Sequence, residues 1–479
     1  MLTSFTGRRT ELALLRKRLD LVRASSMGTA VAIRGRRQVG KSRLVQELCD
    51  QAGVPYLFFA AAKGASPVEA VASFMAELRQ SGLSSDPDLI PSATSWPDAF
   101  RALGTALLDR PAIVVLDELP WLAEQDEAFD GALQVAWDRL LVNRPVLLLL
   151  LGSDLHMMQR LTAYDRPFYG RADNMVLGPL NPAETGAALG LSDPDAVDAY
   201  LVSGGLPGIL RAWPDGMPAL AFLERECADP SSPLFGVPES ALLAEFPEPD
   251  QARRVLESIG GGDRTYANIA ASAGSRSGAL PSGTLSPLLR KLAEDKQIVA
   301  VDHPLATQTG KPALYRIADS NLRLYLAVLR SAVELIRRGR SAAAFRLVER
   351  RWSTWRGRAV EPVVRESLEL IAAAGELPWP EAGVVGGWWN RQFDPEIDLV
   401  GADKGPVADQ IAFVGSIKWL ATPFDRHDLA ALHAAAPSVP GHTAHTGTVV
   451  VSRAGIADDM DARSADLVWG PADLISAWR

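Results

Sequence analysis

Residues 35–42 carry the clearest chemical signal in the sequence. They read Gly-Arg-Arg-Gln-Val-Gly-Lys-Ser, which fits the pattern G-x-x-x-x-G-K-[ST], and they lie between an apolar run and a helical pattern. Glycines let the backbone curl so that successive N–H groups face a phosphate, and the start of the helix adds partial positive charge. Lys41 can reach the β- and γ-phosphates, and the Ser42 hydroxyl can bind magnesium. The pattern predicts a P-loop that binds ATP with Mg²⁺.

The whole turn and the residue after it are expected to contact the nucleotide. These positions are Gly35, Arg36, Arg37, Gln38, Val39, Gly40, Lys41, Ser42 and Arg43.

Two carboxylates follow another apolar run about 75 residues farther along the chain. Residues 113–116 are Ile-Val-Val-Leu, and Asp117 and Glu118 come directly after them. Asp117 is expected to hold magnesium through water, and Glu118 to polarise the attacking water. Carboxylates at the end of a strand are common surface residues, so this pair indicates a catalytic site only in combination with the P-loop. Together the two motifs predict ATP hydrolysis, with Glu118 and Lys41 as catalytic residues.

Composition excludes several classes of protein. Of the 479 residues 47% are hydrophobic and 22% charged, and the net charge of −8 gives no global attraction to nucleic acid. Cys49 and Cys227 lack a CxxC spacing, which excludes a disulfide framework or a thiolate zinc site. The amino terminus lacks the apolar run of a signal peptide, and the most apolar stretch, Pro145–Gly152, is too short to span a bilayer. We therefore expect a cytoplasmic protein without a membrane partner.

The first 180 residues alternate short apolar runs with helical patterns. This order predicts βαβ units and a parallel sheet covered on both faces. The expected strands are Ala30–Arg34, Tyr56–Ala60, Ala112–Leu116 and Val146–Leu151. The expected helices are residues 41–52, 67–80 and 96–108, and one between the last two strands.

The pattern changes after Leu180. Residues 181–227 are helical in pattern, and the Pro-rich stretch Pro230–Pro249 predicts a linker. Residues 250–320 then show three short helices and two strands around a turn at Gly310, which is the order of a winged helix. These elements are Gln251–Ile259, Tyr266–Ala271, Ser286–Asp295, Ile298–Asp302 and Leu314–Ile317. The last 150 residues are mixed α/β, with strands at Ile397–Gly401, Ile411–Ile417 and Thr448–Ser452.

Phe5, Gly7 and Arg8 look like the box that precedes the P-loop in AAA+ proteins and lies near the adenine. Residues 117–122 resemble the extended Walker B motif of an archaeal-type family of AAA+ ATPases, a prokaryotic branch of the STAND class of signalling ATPases. Further blocks that match this family in order are Leu151–Ser153 with Met157 and Met158, Phe168–Arg171, Gly178–Leu180 and Gly205–Pro207. The resemblance is close over residues 1–210.

The resemblance implies roles for three further residues. Ser153 matches the polar residue on the fourth strand that senses the γ-phosphate, although a serine that ends a strand can also be structural. Arg171 is the candidate for an arginine that reaches a phosphate in its own chain or a neighbour's, and the alternative is a salt bridge within the domain. Pro207 matches the G-x-P motif of the helical domain and is carried over as a nucleotide-site residue.

Two basic regions in the carboxy-terminal half could meet DNA. In a DNA-binding winged helix the helix Ser286–Asp295 would enter the major groove, with Arg290, Lys291 and Lys296 near phosphates. The alternative is a regulatory lid on the ATPase. Residues 330–366 interleave eight arginines with Trp352 and Trp355, which suits either nucleic acid or a solvated helix face with ion pairs. The arginines are Arg337, Arg338, Arg340, Arg346, Arg350, Arg351, Arg356 and Arg358.

The stretch beyond residue 358 is similar to the nuclease-like domain of the same family, a relative of the PD-(D/E)xK nucleases. The resemblance gives Glu361 as the helix carboxylate, Asp398 as the metal-binding aspartate and Lys418 as the lysine. Ser416 stands where the second acidic ligand belongs. Because a neutral hydroxyl is a poor magnesium ligand, this second site is expected to be degenerate, a module for binding rather than cleavage.

The sequence thus predicts an α/β protein with a P-loop AAA+ parallel-sheet core (1–180), a helical lid and linker (181–245), a winged helix (246–325) and a PD-(D/E)xK-like α/β terminal domain (326–479). Its expected role is an ATP-driven switch or motor that acts on DNA. The alternatives are an ATP-dependent DNA nuclease and a STAND-type scaffold that assembles with a protein partner or as a homo-oligomer.

Overall fold

The structure is a computed structural model, which describes residues 5–153, 157–159, 164, 166, 168–246, 251–274, 278–310 and 312–479. It divides into a first unit that ends at Leu180 and a second that runs from Asn181 to Arg479. Within the ranges just given, no helix is both long and apolar enough to cross a membrane.

The first unit is built on a five-stranded parallel sheet with the order β2-β3-β4-β1-β5. The strands are β1 (Thr29–Arg34), β2 (Tyr56–Ala60), β3 (Ala112–Asp117), β4 (Val146–Gly152) and β5 (Asp173–Val176). Every residue of β3 and β4 is buried, as expected for central strands that are covered on both faces. Because all five strands are parallel, the ends of β1, β3 and β4 meet at one edge of the sheet. The predicted parallel-sheet core is confirmed, and β5 was not predicted.

Helices cover the sheet of the first unit, and the aromatic core lies beneath them. The helices are Arg9–Ser25, Lys41–Ala52, Pro67–Gln80, Trp96–Ala106, Leu119–Gln125 and Phe129–Ala136, the last continued by a wider turn to Leu141. Phe59, Phe74, Trp96, Phe100 and Phe129 pack together with ring centroids 4.9–6.2 Å apart. These rings belong to the apolar core that packs against the strands of the sheet.

The second unit begins with a run of helices, and here one prediction was wrong. The helices are Pro182–Leu189, Asp193–Ser203, Pro207–Leu210, Ala219–Cys227 and Pro233–Glu245. The last of these occupies most of the stretch that was expected to be a linker. Pro233 lies in the first turn, where a missing N–H costs nothing, and the Ser232 hydroxyl accepts a 3.1 Å hydrogen bond from the N–H of Leu234. The end of the expected linker, residues 247–250, lies outside the described residues.

Three helices and a two-stranded antiparallel sheet follow. The helices are Gln251–Gly261, Tyr266–Ser272 and Ser282–Arg290, the last continued by a wider turn to Asp295, and the strands are β6 (Val299–Asp302) and β7 (Leu314–Ile317). The order of these elements is the one expected from the sequence. Their identity as a winged helix stays a prediction.

The terminal domain contains a second five-stranded sheet, with the order β12-β11-β10-β9-β8. The strands are β8 (Val384–Trp389), β9 (Glu396–Ala402), β10 (Ile411–Lys418), β11 (Gly447–Ser452) and β12 (Leu467–Trp469). The helices are Ser320–Leu324, which runs through a wider turn to Leu329, and then Arg330–Arg337, Ser341–Ala359, Glu361–Ala373, Arg426–Ala435 and Pro471–Ser476. Pairing is antiparallel among β8, β9 and β10 and parallel from β10 to β12.

A buried carboxylate joins the early helices of the second unit to the terminal sheet. Asp198 is 3% exposed. It accepts hydrogen bonds from Arg356 at 2.8 Å, from the Trp419 ring nitrogen at 2.9 Å and from Arg453 at 3.1 Å. Val197, on the same helix, packs in the apolar core of the terminal domain. Removing one partner from a buried ion pair leaves an uncompensated charge at a cost of about 3–5 kcal/mol, so loss of Asp198 is expected to destabilise the second unit.

Candidate functional site

The turn between β1 and the helix Lys41–Ala52 has the backbone that a P-loop requires. Gln38 and Gly40 have φ angles of 66° and 95°, in the left-handed region that glycine adopts without strain. Gly35 is needed for space, since a Cβ there would lie 2.3 Å from the carbonyl oxygen of Leu177. The turn therefore curls tightly into the start of a helix, where free N–H groups favour an anion.

Lys41 lies over this turn. Its side chain is 6% exposed, and its Nζ donates hydrogen bonds to the carbonyl oxygens of Gly35 at 2.7 Å and Arg36 at 3.1 Å. Burial lowers the pKa of Lys41, while the nearby carboxylates of Glu118 and Asp117 oppose that shift. The ammonium is thus held beside the space that the P-loop encloses.

The Ser42 hydroxyl meets a carboxylate from the end of β3. Its Oγ donates a 2.5 Å hydrogen bond to Oδ2 of Asp117, and the N–H of Glu118 donates to the other oxygen, Oδ1, at 2.9 Å. Asp117 is 5% exposed, and burial raises its pKa against the lowering effect of these bonds. The Ser42 hydroxyl and the Asp117 carboxylate are therefore neighbouring oxygens, and Mg²⁺ prefers oxygen ligands.

Glu118 is held at the end of β4. Its Oε2 accepts a 2.8 Å hydrogen bond from the Ser153 hydroxyl and a 3.4 Å one from the Ser153 N–H. Glu118 has a φ of 54°, in the left-handed region, so the chain leaves the extended strand conformation directly after Asp117. The structure therefore brings together Lys41, Ser42, Asp117, Glu118 and Ser153.

Two arginines of the P-loop region lie against aromatic rings. The Arg37 guanidinium is 5.8 Å from the ring centroid of Trp121, and that of Arg43 is 5.9 Å from the ring of Phe5. Arg43 also pairs with Glu47 at 2.9 Å. Trp121 was not singled out from the sequence, although an aromatic residue one turn after two site carboxylates was a usable signal.

Arg8 makes contacts that the sequence did not predict. It is 4% exposed and donates hydrogen bonds to the carbonyl oxygens of Val39 at 3.0 Å and Gly178 at 2.5 Å. It also pairs with Glu11 at 3.1 Å. Gly7, just before it, has a φ of 72°, which turns the chain into the helix Arg9–Ser25. The guanidinium of Arg8 is therefore committed to backbone oxygens around the P-loop.

Two residues that were predicted for the nucleotide site, Arg171 and Pro207, have other contacts or positions in the structure. Arg171 forms a two-point ion pair with Asp138 in its own unit, at 2.8 and 2.9 Å. This pair lowers the pKa of Asp138 and raises that of Arg171. The contact is the intradomain salt bridge that was the alternative to a phosphate contact. Pro207 begins the short helix Pro207–Leu210 of the second unit, and its role stays a prediction.

The terminal carboxylates are already paired within the fold. Arg365 pairs with Glu361 at 3.3 Å and donates to the backbone oxygen of Asp398 at 2.8 Å. The Asp398 carboxylate accepts bonds from the Ser416 hydroxyl at 3.1 Å and the N–H of Ile417 at 2.9 Å. Burial raises the pKa of both Glu361 and Asp398.

These residues do not fit a magnesium site. Lys418 is ion-paired with Asp428 on the next helix, and Arg365 supplies the positive charge beside Glu361. Among the described residues, no group of three or more Asp, Glu, His or Cys side chains is placed to hold a metal ion. Because the Asp398 carboxylate is bonded to Ser416 and Ile417 and that of Glu361 to Arg365, the cluster offers Mg²⁺ few free carboxylate oxygens.

Several arginines of the helical region before Glu361 face solvent. Five of these exposed arginines have no side-chain partner among the described residues, namely Arg337, Arg340, Arg346, Arg350 and Arg358. Arg338 and Arg351 are exposed but bonded, to Glu334 and to the carbonyl of Ala327. Arg356 is buried at Asp198. The predicted basic region is thus partly structural and partly a free cationic surface.

Comparison with protein families agrees with the geometry of the P-loop unit. Residues 4–148 match the family model of an AAA ATPase domain. The chain contains an AAA ATPase domain. Residues 325–428 match a second model, described as archaeal and bacterial proteins of unknown function. An uncharacterized protein of Methanocaldococcus jannaschii is 23% identical over 418 residues, which are 87% of each chain.

Two solved structures are similar to this AAA ATPase-containing chain. A Walker-type ATPase of Pyrococcus abyssi aligns with a TM-score of 0.49 and 18% identity, over 67% of this chain and 96% of that one. The ORC2 protein of Aeropyrum pernix, in ADPNP–ADP complexes, aligns with a TM-score of 0.43 and 16% identity, over 71% and 96% of the two chains.

Proposed function

We propose that this protein binds ATP with Mg²⁺ at the P-loop and hydrolyses it, as a nucleotide-driven switch or motor. The observation that carries the proposal is the 2.5 Å contact between Ser42 and Asp117, because it joins two motifs that lie 75 residues apart. A hydroxyl at the start of the P-loop helix and a buried carboxylate beside it are the two groups that place a nucleotide-bound magnesium ion.

Each residue has a chemical task in this proposal. The P-loop N–H groups bind the phosphates, and Lys41 moves its ammonium from the carbonyls of Gly35 and Arg36 to the β- and γ-phosphates. Ser42 and Asp117 would hold magnesium, which would offset charge on the transferred phosphoryl group. Glu118 orients the attacking water and draws its proton, and Ser153 fixes the carboxylate of Glu118.

The second unit is proposed to report the nucleotide state, with DNA as its target. Four exposed arginines without protein partners lie between residues 337 and 350, and Arg290 and Lys291 are exposed on the proposed winged helix. Such groups can contact phosphates in any sequence, with an affinity that falls as salt rises. A STAND-type scaffold for a protein partner is the alternative, and salt-insensitive binding to a protein with no binding to DNA would favour it.

A nuclease is the less favoured output. The pairing of Glu361 with Arg365 and of Lys418 with Asp428 leaves the terminal cluster without the ligands that metal-dependent cleavage needs.

The test of the proposal is ATP binding and turnover by the full chain with Lys41→Ala. Loss of a charge-assisted contact of about 1.5–3 kcal/mol should weaken ATP binding by roughly 10- to 100-fold. Lys17→Ala, at an exposed position on the helix Arg9–Ser25, is the matched control. Equal affinity and turnover in Lys41→Ala and wild type, with both proteins folded, would rule out the site.

A further inference from the structure

Arg8 joins the P-loop to the last residues of the first unit. Its Nη2 donates to the carbonyl oxygen of Val39 in the P-loop and to that of Gly178, and its Nη1 lies 3.5 Å from the carbonyl oxygen of Pro179. The guanidinium is 4% exposed and is oriented by Glu11. One side chain thus spans two backbone segments that are about 140 residues apart in the sequence.

The segment 177–180 also touches the beginning of the P-loop. The N–H of Leu177 donates a 2.7 Å hydrogen bond to the carbonyl oxygen of Arg34, at the end of β1. The carbonyl oxygen of Leu177 is so close to Gly35 that any Cβ there would collide with it. The segment is therefore held at both ends of the P-loop, by backbone contact at Gly35 and by Arg8 at Val39.

The contact at Val39 has a direct geometric link to a bound phosphate. The carbonyl of Val39 and the N–H of Gly40 belong to one planar peptide unit and point in opposite directions. A phosphate that attracts the Gly40 N–H, at the start of the P-loop helix, pulls on this plane and can rotate it. The Val39 oxygen then moves, and the Arg8 guanidinium bonded to it is displaced or pulled along.

We propose that Arg8 is a positioning residue that couples the phosphate site to the segment 177–180, rather than a contact to the nucleotide. The inference rests on the proposed nucleotide binding. Arginine suits this task because its planar fork offers five donors and can serve Val39, Gly178 and Glu11 at once, whereas a lysine ammonium is a compact point charge. Leu180 is followed directly by Asn181, so this segment is where the chain leaves the AAA ATPase unit.

The experiment is hydrogen exchange of the backbone amides of residues 177–182 in the full chain, measured without nucleotide, with Mg–ADP and with Mg–AMP-PNP. In wild type the exchange of this segment should differ by about tenfold between nucleotide states. At nucleotide concentrations that saturate each protein, Arg8→Lys and Arg8→Gln should lose that difference. The exposed neighbour Arg9 gives the matched control, and Arg9→Ala should keep the difference.

Three results would overturn the inference. One is an unchanged exchange response in both Arg8 variants. Another is loss of nucleotide affinity in Arg8→Lys and Arg8→Gln although both remain folded by circular dichroism, which would make Arg8 a ligand contact. A third is a wild-type protein that binds Mg–ADP without any change at residues 177–182, and this result leaves the proposed function standing. A wild-type protein that binds neither nucleotide defeats the proposed function itself.

Discussion

The Ser153 hydroxyl donates a 2.8 Å hydrogen bond to the carboxylate of Glu118. The two residues directly follow the neighbouring strands β4 and β3, and this bond orients the carboxylate of Glu118 after the left-handed turn at its own Cα. From the sequence, Ser153 was expected to sense the γ-phosphate and Glu118 to orient water, as two separate roles. The hydrogen bond connects the two residues.

Changing Glu118→Gln should separate nucleotide binding from hydrolysis. The amide keeps the shape of the side chain but cannot take a proton from water, so turnover should fall by roughly 10²- to 10⁴-fold while ATP binding persists. Single-turnover hydrolysis and an equilibrium binding titration give the two values. Wild-type turnover in this variant would mean that another residue orients the water.

Ser153→Ala should slow hydrolysis through Glu118. Without the hydroxyl the carboxylate loses a hydrogen bond of about 1 kcal/mol, so turnover should fall about fivefold with little change in ATP affinity. In the double variant with Glu118→Gln the two losses should not add, because both act on one carboxylate. Additive losses would show that Ser153 acts separately, on the γ-phosphate.

The sequence was sufficient to predict those elements and site residues that depend only on a short stretch of chain. The buried strands β3 and β4 are uninterrupted apolar runs, and the P-loop pattern by itself places Lys41 and Ser42 at the start of a helix. By contrast, the strand β5 is short and mostly exposed, so it carries no apolar periodicity. It is recognisable only through its pairing with β1.

Contacts that depend on strand order could not be read from the sequence. The bond between Ser153 and Glu118 exists because β4 lies beside β3, and the bonds of Arg8 exist because residue 178 returns to the P-loop. The helix Pro233–Glu245 was missed for a different reason. Prolines before and after the helix, together with Pro233 and Pro238 within it, suggested a linker, although a proline in the first turn is compatible with a helix.

The exposed arginines should make any DNA binding steeply dependent on salt. Replacing Arg346 and Arg350 together by alanine should weaken binding to all sequences alike and reduce the slope of log affinity against log salt by about 2. Titrations at several salt concentrations measure this slope. Lys404→Ala, which changes an exposed lysine in the loop after β9, should leave the slope unchanged. An equal loss in both proteins would place the DNA elsewhere.

The terminal cluster should not cleave DNA. We expect no cleavage of single- or double-stranded DNA by the full chain with magnesium or manganese, because Arg365 and Ser416 stand where metal charge and a carboxylate ligand are needed. Robust cleavage that disappears in Asp398→Ala would refute this expectation. Ser416→Glu restores the carboxylate, and a gain of cleavage there would identify the missing ligand as the defect.

Removing the charge of Asp198 should destabilise the second unit. Asp198→Asn leaves the buried guanidinium of Arg356 without its counter-ion, at a cost of about 3–5 kcal/mol. The unfolding temperature of this unit should fall by roughly 6–20 °C in a thermal melt. Asp195→Asn removes a more exposed partner of Arg453 and should cost less than about 1 kcal/mol. Similar losses in the two variants would argue against a special anchor at Asp198.

The buried contacts of Asp198 also limit which segments of this protein can be replaced by recombination with a related sequence. A recombination event that replaced only the terminal domain would separate Asp198 from Arg356, Trp419 and Arg453 unless the incoming sequence carried the same three donors. The helix Asp193–Ser203 and the terminal domain should therefore be inherited together. A natural or engineered crossover is better tolerated near residue 180 than at any point between residues 203 and 356.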